Sequence, residues 1–381
     1  MILTAKKNAL LILEDGSIYY GKSFGAEGTC IGEIVFNTSH TGYQEILTDP
    51  SYKGQIVLMT APQIGNYGVA TEDEESAKPA LEGFVVREAS NIPSNPRAEL
   101  SLSEYLKNRK VVAIENIDTR AITRKIREKG AMKAILSTDP EKKIKELIET
   151  LKNFPGLEGK DLVKEVVSPG IEKWDKGFTS PFSPKLLFDP LQKKYKIIVI
   201  DCGIKRSILR ALVSVGFEVF RVGYNTPVEA LKDINPHALF ISNGPGDPEP
   251  LKYAIRIIKT YSSKIPVFGI CLGHQVIALA LGAKTYKMKF GHHGANHPVR
   301  ETSSRKVYIT SQNHSFAVDI SNVKHFKITH INLNDNTIEG IEHKDLPVWS
   351  VQFHPEASPG PHDSLNIFMD FKKRVDKFYS F

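Results

Sequence analysis

The chain has 381 residues, which is long for one hydrophobic core and predicts two domains, and its 41% hydrophobic and 24% charged residues are ordinary for a soluble protein. The net charge of +7 comes from basic residues scattered along the chain, which argues against a nucleic-acid-binding protein. No apolar run approaches the roughly 18 residues of a membrane span, and the N-terminus lacks a signal-peptide pattern. Three widely spaced cysteines form no disulfide framework, so we expect a cytoplasmic protein.

The first predicted elements are two short strands around a turn. Residues 9–14 (ALLILE) are an apolar strand candidate, Asp15-Gly16 is a typical hairpin turn, and residues 17–20 favour extended backbone. The octapeptide 16–23, GSIYYGKS, matches the phosphate-loop pattern G-x-x-x-x-G-K-[ST]. A phosphate loop leads into a helix, however, and the glycine-rich sequence after Lys22 does not favour one. We therefore predict a hairpin and no nucleotide site here.

The remainder of residues 1–152 mixes two patterns and predicts an α+β N-terminal domain. Strand candidates begin at residues 33, 55, 83, 110 and 133, and helix candidates lie near 100–108, 118–129 and 140–152. The helix near 118–129 is basic, which indicates a solvated or partner-facing surface. Residues 153–195 are rich in Pro, Gly and Lys and predict a linker.

From residue 196 onward, apolar strands alternate with helices. The candidates are strands at 196–201, 217–222, 238–242 and 265–270 and helices at 207–215, 227–233, 250–261 and 272–281. Such alternation is typical of crossover units, so residues 196–381 are predicted to form an α/β domain. Its sheet should be doubly wound, mostly parallel and flavodoxin-like, and a last helix should begin near residue 365.

The stretch 266–275, PVFGICLGHQ, is an apolar strand that runs into a G-x-C-x-G pattern and a helix. In such an elbow, Gly269 and Gly273 permit a sharp turn that exposes the side chain of Cys271. The helix N-terminus favours the thiolate through its dipole and its N–H groups. The pattern predicts a nucleophilic cysteine, and a buried structural cysteine is the alternative.

Two further segments supply polar groups to such a nucleophile. In QFHPE the proline excludes a helix, so His354 and Glu356 should project to the same side, where the carboxylate can orient the imidazole. With Cys271 they form a possible Cys–His–Glu set. The loop 242–248, SNGPGDP, follows a strand and can present backbone N–H groups, with that of Leu272, to an oxyanion. An ordinary connection is the alternative for this loop.

The segments SNGPGDP, PVFGICLGHQ and HPEAS, in that order, resemble those of the class I (triad) glutamine amidotransferases over residues 196–381. The first half of the chain indicates a more specific family. Its segments FNTSHTGYQEILTDPSYKGQIV, APQIGNYG and ENIDTRAITRKIREKGAM, together with the later FGHHGANHPV, are similar to those of the small, glutaminase subunits of carbamoyl-phosphate synthetases. This second resemblance extends over nearly the whole chain.

The resemblance implies roles for individual residues. Cys271 would attack the side-chain amide of L-glutamine, His354 would protonate the departing ammonia and then activate water, and Glu356 would orient the imidazole. The implied glutamine-binding residues are Ser51, Gly244, Gly246, Leu272, Gln275, Asn313, Ser315 and Phe316. The family sequence QNHGFA is QNHSFA here, so Ser315 replaces a glycine beside the expected substrate site.

No cofactor and no metal are expected in this chain. His292, His293 and His297 lack an accompanying carboxylate at usable spacing, and the resemblance implies no metal there. It implies instead that a separate large subunit handles bicarbonate, ATP and Mg²⁺ and receives ammonia through an enclosed channel. The expected assembly is a heterodimer that makes carbamoyl phosphate for arginine biosynthesis, pyrimidine biosynthesis or both.

Three other interpretations have specific arguments against them. The glutaminase subunit of another amidotransferase, such as one for anthranilate or guanylate synthesis, does not need the long N-terminal half. A papain-like peptidase does not have the parallel-sheet elbow and the Gly-Pro-Gly loop. A non-catalytic subunit of the same fold does not need Cys271, His354 and Glu356. The sequence therefore predicts the glutaminase subunit.

Overall fold

The structure, a computed structural model, describes residues 8–139, 141–167, 169–180, 182, 184 and 195–380. The chain forms two compact units. The first contains the residues up to Glu158 together with the short segment 289–293, and the second contains the others. Within these described ranges, no helix is both long enough and apolar enough to span a membrane.

The first unit is built around a closed β-barrel. Its described strands are β1 (Ala9–Leu13), β2 (Ile18–Ser23), β3 (Thr29–Asn37), β4 (Gln55–Met59), β5 (Gln63–Ile64), β6 (Gly83–Val85), β7 (Glu88–Ala89), β8 (Val112–Glu115) and β9 (Met132–Ser137). Its described helices are α1 (Tyr43–Thr48), α2 (Leu102–Asn108), α3 (Thr119–Lys129) and α4 (Ile144–Asn153). The barrel order is β1-β2-β8-β6-β4-β3-β9, and β5 pairs with β7 separately.

Strand β4 shows how the barrel is held together. Every residue of its sequence QIVLM is buried. Ile56 and Leu58 pack into one hydrophobic cluster, and Val57 and Met59 pack into another. Because successive strand residues point to opposite faces, β4 is covered on both sides. Each such buried aliphatic side chain contributes about 1.5–3 kcal/mol to folding.

Helices α2, α3 and α4 confirm the three helices predicted in this unit. At the start of α2, the side chain of Ser101 accepts from the N–H of Glu104, whose carboxylate accepts from the N–H of Ser101. At the start of α3, the N–H of Ala121 donates to Asp118 Oδ1 at 3.0 Å. These caps satisfy N–H groups that have no partner within the helix, so the local sequence sets where α2 and α3 begin.

The second unit contains one long sheet with helices on both faces. Its described strands are β10 (Ile171–Trp174), β11 (Tyr195–Asp201), β12 (Phe217–Gly223), β13 (Ala238–Ile241), β14 (Val267–Ile270), β15 (Lys284–Glu301), β16 (Val307–Asp319), β17 (Phe326–Asn332), β18 (Ile338–His343) and β19 (Val348–Val351). Its described helices are α5 (Val163–Val166), α6 (Arg206–Ser214), α7 (Val228–Lys232), α8 (Lys252–Tyr261), α9 (Leu272–Ala280) and α10 (Asn366–Phe378). Segment 289–293 of β15 is the part that belongs to the first unit.

The centre of this sheet is doubly wound. Strands β12, β11, β13, β14 and β19 lie side by side and are parallel. In β11, Ile197 and Val199 pack against α6 and α10, while Ile198 and Ile200 pack against α8 and α9. A sheet of this order places its ligand crevice at the carboxyl ends of the strands.

The margins of the sheet differ from the prediction of a mostly parallel sheet. β10 on one side and β18, β17 and β15 on the other are antiparallel to their neighbours. The predicted linker 153–195 also contains regular structure, because α5 packs into the core of the sheet and β10 pairs with β12. An edge strand needs a partner on one side only, so a segment rich in Pro and Gly can form one. Residues 185–194 of that segment lie outside the described residues.

The hairpin predicted around residue 16 is confirmed. Strands β1 and β2 pair antiparallel, and Gly16 has the left-handed φ of 84° that such turns require. Lys22 lies within β2 and pairs with Glu115 of β8. The second half of the phosphate-loop pattern is therefore a strand, in which alternate residues point to opposite sides and cannot surround one ligand.

Within this octapeptide, Gly21→Ala should destabilise the fold and Lys22→Ala should not. A Cβ atom at Gly21 would overlap the carbonyl oxygen of Glu115 in the adjacent strand. Lys22 is a partly exposed strand residue, and its truncation should change the free energy of unfolding by less than about 0.5 kcal/mol. Urea unfolding of both variants measures this difference. If the chain bound ATP and Lys22→Ala abolished that binding, the hairpin interpretation would be wrong.

Candidate active site

Cys271 lies at the junction of β14 and α9, at the carboxyl end of the parallel strands. Its φ of 55° is a left-handed value, which costs a non-glycine residue about 1–3 kcal/mol and turns the strand sharply into the helix. The turn needs Gly273, because a Cβ atom there would overlap the carbonyl oxygen of Ile241. The Cys271 N–H donates to the carbonyl oxygen of Val351 at 3.0 Å. The cysteine is therefore held rigidly at a helix N-terminus.

His354 and Glu356 follow β19 and form a buried pair. The His354 N–H donates to the carbonyl oxygen of Ser311 at 2.9 Å, and its Nδ1–H donates to Glu356 Oε1 at 2.7 Å. Burial disfavours the imidazolium, but the charges of Glu356 and Cys271 outweigh burial and raise the pKa of His354 above its ordinary value. His354 is therefore a protonated group close to the cysteine, and the carboxylate of Glu356 holds its Nδ1–H.

Lys205, which the sequence analysis missed, is a further charged residue of the site. It lies immediately before α6 and is 1% exposed. Its Nζ donates to Glu356 Oε1 at 2.9 Å and to the carbonyl oxygen of Ala357 at 2.6 Å. Burial raises the pKa of Glu356, but Lys205 and His354 lower it more strongly, so the pKa lies below its ordinary value. No sequence signal marks Lys205, since a lysine beside an arginine at a helix start is typical of an exposed residue.

Several residues expected to bind glutamine lie around the same elbow. Gln275 on α9 donates through Nε2 to the carbonyl oxygen of Phe316 at 2.9 Å and to Gln352 Oε1 at 3.1 Å. The Sγ atom of Cys271 lies 3.4 Å from the carbonyl oxygen of Asn313. Strand β16 thus passes directly beside the cysteine and carries three of the expected contacts.

The loop after β13 packs against the first turn of α9. A Cβ atom at Gly244 would overlap the carbonyl oxygen of Cys202 and lie 2.8 Å from a side-chain carbon of Leu272. Gly246 has a φ of 83°, which favours glycine. The two segments from which oxyanion-binding N–H groups were predicted are therefore neighbours.

Other predicted residues have less direct structural support. Ser315 lies in β16 without a positive φ, so its backbone does not require the glycine of the family sequence. Ser51 belongs to the first unit, and its role in glutamine binding stays a prediction. The expectation that His292, His293 and His297 bind no metal also stays a prediction.

The fold and this set of residues define a class. The family model described as glutamine amidotransferase class-I matches residues 198–374, which include Cys271, His354 and Glu356. A second family model, the CPSase domain of the carbamoyl-phosphate synthase small chain, matches residues 11–136. The two matches follow one another along the chain.

Relatives that match this chain over nearly their whole length indicate one family within this class. The chain is 54% identical to the carbamoyl phosphate synthase small chain of Aquifex aeolicus over 97% of this chain and 99% of the relative. It is 51% identical to that of Syntrophotalea carbinolica, over 97% and 98%. With Thermus thermophilus the identity is 46%, over 98% and 95%. The chain belongs to the carbamoyl phosphate synthase small chain family.

Lys205→Met should lower the free energy of unfolding by about 3 kcal/mol at pH 7, because it leaves a buried carboxylate without one of its cations. The folded-state pKa of Glu356 lies below its ordinary value of 4.5, so Glu356 is ionised and paired with Lys205 at any pH above 4.5. Its contribution disappears as the pH falls towards the folded-state pKa. The difference between variant and wild type should therefore shrink in acid, as measured by urea unfolding between pH 7 and pH 3.

Lys373→Met is the matched control, because Lys373 forms an exposed pair with Asp370 on α10. Such a pair contributes at most about 1 kcal/mol. Equal destabilisation by both variants, or an effect of Lys205→Met that does not depend on pH, would contradict a buried Lys205–Glu356 pair.

Proposed function

We propose that the chain is the glutaminase subunit of a glutamine-hydrolysing carbamoyl-phosphate synthase. The observation that carries this proposal is the elbow cysteine, Cys271, which shares one unit with the buried His354–Glu356 pair in a chain of the small-chain family. The names of the relatives, which are small chains, support the existence of a large partner subunit.

The first chemical step forms a thioester. The Cys271 thiolate attacks the side-chain amide carbon of L-glutamine, and the resulting oxyanion is stabilised by backbone N–H groups of Leu272 and the Gly244 loop. The imidazolium of His354 gives its Nε2 proton to the leaving nitrogen. The C–N bond breaks, and ammonia departs while a γ-glutamyl thioester and a neutral imidazole remain.

The second step hydrolyses this thioester. Neutral His354 accepts a proton from water, and the hydroxide adds to the thioester carbon. The C–S bond breaks, which restores the thiolate and the imidazolium, and the new γ-carboxyl group releases its proton to solvent as glutamate leaves. Throughout, Glu356 keeps the Nδ1 proton of His354 in place, which leaves Nε2 as the atom that exchanges protons.

The ammonia is consumed by the partner subunit. Because ammonia in water is protonated and loses its nucleophilic lone pair, an enclosed path to the second active site preserves its reactivity. The large subunit binds ATP, Mg²⁺ and bicarbonate and makes carbamoyl phosphate for arginine or pyrimidine biosynthesis. The heterodimer is cytoplasmic, and this chain itself needs no cofactor.

Cys271→Ala should abolish carbamoyl-phosphate formation from glutamine without affecting its formation from ammonium salt. The substitution removes the nucleophile, so no thioester forms, whereas the large subunit requires only ammonia. His354→Ala should have the same effect, and Glu356→Ala a milder one, because Glu356 orients the acid and does not transfer the proton. The complex is assayed with each nitrogen donor side by side at alkaline pH.

The ammonium arm is the control for folding and assembly. Glutamine-driven synthesis by the Cys271→Ala complex would contradict the covalent mechanism. Loss of both activities would instead identify Cys271 as a structural cysteine.

A further inference from the structure

A chain of four buried polar side chains connects three strands of the second unit. Asn332 ends β17, Glu339 lies in β18, and Gln312 and His314 lie in β16; all are at most 5% exposed. Asn332 Nδ2 donates to Glu339 Oε1 at 3.0 Å, and Gln312 Nε2 donates to Glu339 Oε2 at 3.0 Å. The Nε2 atom of His314 lies 3.0 Å from Gln312 Oε1. None of these contacts involves the catalytic residues described above.

The Glu339 carboxylate determines how the next two groups are oriented. A carboxylate only accepts hydrogen bonds, so the NH₂ group of Gln312 faces Glu339 and its oxygen faces His314. The other ring nitrogen of His314, Nδ1, lies 2.8 Å from the carbonyl oxygen of Phe316. Both nitrogens of His314 thus face acceptors, and only the imidazolium can donate to both.

His314 is connected to the substrate site through the carbonyl group of Phe316. This oxygen accepts from His314 and, at 2.9 Å, from Gln275 Nε2 on α9. At the other end of segment 313–316, the carbonyl oxygen of Asn313 lies 3.4 Å from Cys271 Sγ. Two donors at Phe316 fix the segment that carries the expected glutamine contacts, and loss of the His314 donor would loosen it without altering the cysteine.

We propose that Glu339 is a positioning residue for the binding of L-glutamine. Through Gln312 it keeps His314 doubly protonated, and His314 holds segment 313–316 in the shape that binds the substrate. The inference rests on the proposed glutaminase function and assigns to Glu339 an effect on substrate binding, not on bond breaking.

Glu339→Gln tests this role in the complete enzyme. The variant removes the negative charge and places an amide between two donors, so the hydrogen bonds to Asn332 and Gln312 can no longer both form. We expect the KM for glutamine to rise about tenfold or more, because the loss of one hydrogen bond to a charged group weakens an equilibrium by about that factor. The kcat with glutamine should change less than about twofold, as should synthesis from ammonium salt. Glu342→Gln, on the same strand but partly exposed and paired with Arg374, should leave the KM unchanged.

The double variant Gln312→Glu/Glu339→Gln tests the direction of the hydrogen bonds. A carboxylate at position 312 accepts directly from His314 Nε2–H, and the amide at position 339 donates to that carboxylate while its oxygen accepts from Asn332. The exchange restores the charge and the partners of Asn332 and His314, and it loses the hydrogen bond that Gln312 Nε2 donates to Thr310 Oγ1 at 3.1 Å. We therefore expect the double variant to reverse most of the rise in KM, which a general loss of packing would not allow.

The protonation state is measured independently by NMR of the full chain labelled with ¹⁵N-histidine, with His314→Gln for assignment. We expect an imidazolium at His314 in the wild type and the double variant, and a neutral ring in Glu339→Gln. An unchanged KM in Glu339→Gln, no recovery in the double variant, or a neutral His314 in the wild type would each overturn the proposal. Absence of glutaminase activity in the wild-type complex would instead contradict the proposed function.

Discussion

Burial of the Glu356 carboxylate is the constraint on which the candidate site depends. A carboxylate removed from water without partners would cost several kcal/mol, and here Lys205 and His354 offset that cost from two sides. Lys205 precedes α6, and His354 follows β19, so satisfying one charge fixes the relative positions of a helix start and a strand end. The same lysine also donates to the carbonyl group of Ala357, which has a left-handed φ of 57°. Electrostatics and backbone geometry at the site are therefore coupled.

The charges of the site alternate from Lys205 through Glu356 to His354. Lys205 is positive, Glu356 negative and His354 positive, so each group favours the charged form of the next. In a buried site this attraction is stronger than in water, which allows an imidazolium to persist where desolvation alone would remove its proton. Elsewhere in the same unit, the amide of Gln312 joins Glu339 to His314 by one hydrogen bond on each side.

The sequence predicted those parts of the structure that local rules determine. The Asp-Gly turn, the capped helices α2 and α3, and the elbow at Cys271 each depend on a few adjacent residues. The antiparallel margins of the sheet were missed because pairing partners such as β17 and β18 are chosen by packing, which apolar periodicity does not encode. Lys205 and Glu339 were missed for a related reason: a single charged residue has the same appearance in a sequence whether it is buried or exposed.

The first unit is not one continuous stretch of chain. Segment 289–293 belongs to it, and there the N–H of Ala131 donates to the carbonyl oxygen of Lys289 at 2.8 Å and the N–H of Thr38 to that of His293 at 3.1 Å. A fragment that ends at Glu158 would lack both acceptors. The family matches and the compact units therefore have different boundaries: segment 289–293 lies within the amidotransferase match but packs with the first unit. A single crossover between relatives near residue 158 would therefore give a first unit whose segment 289–293 comes from the other parent.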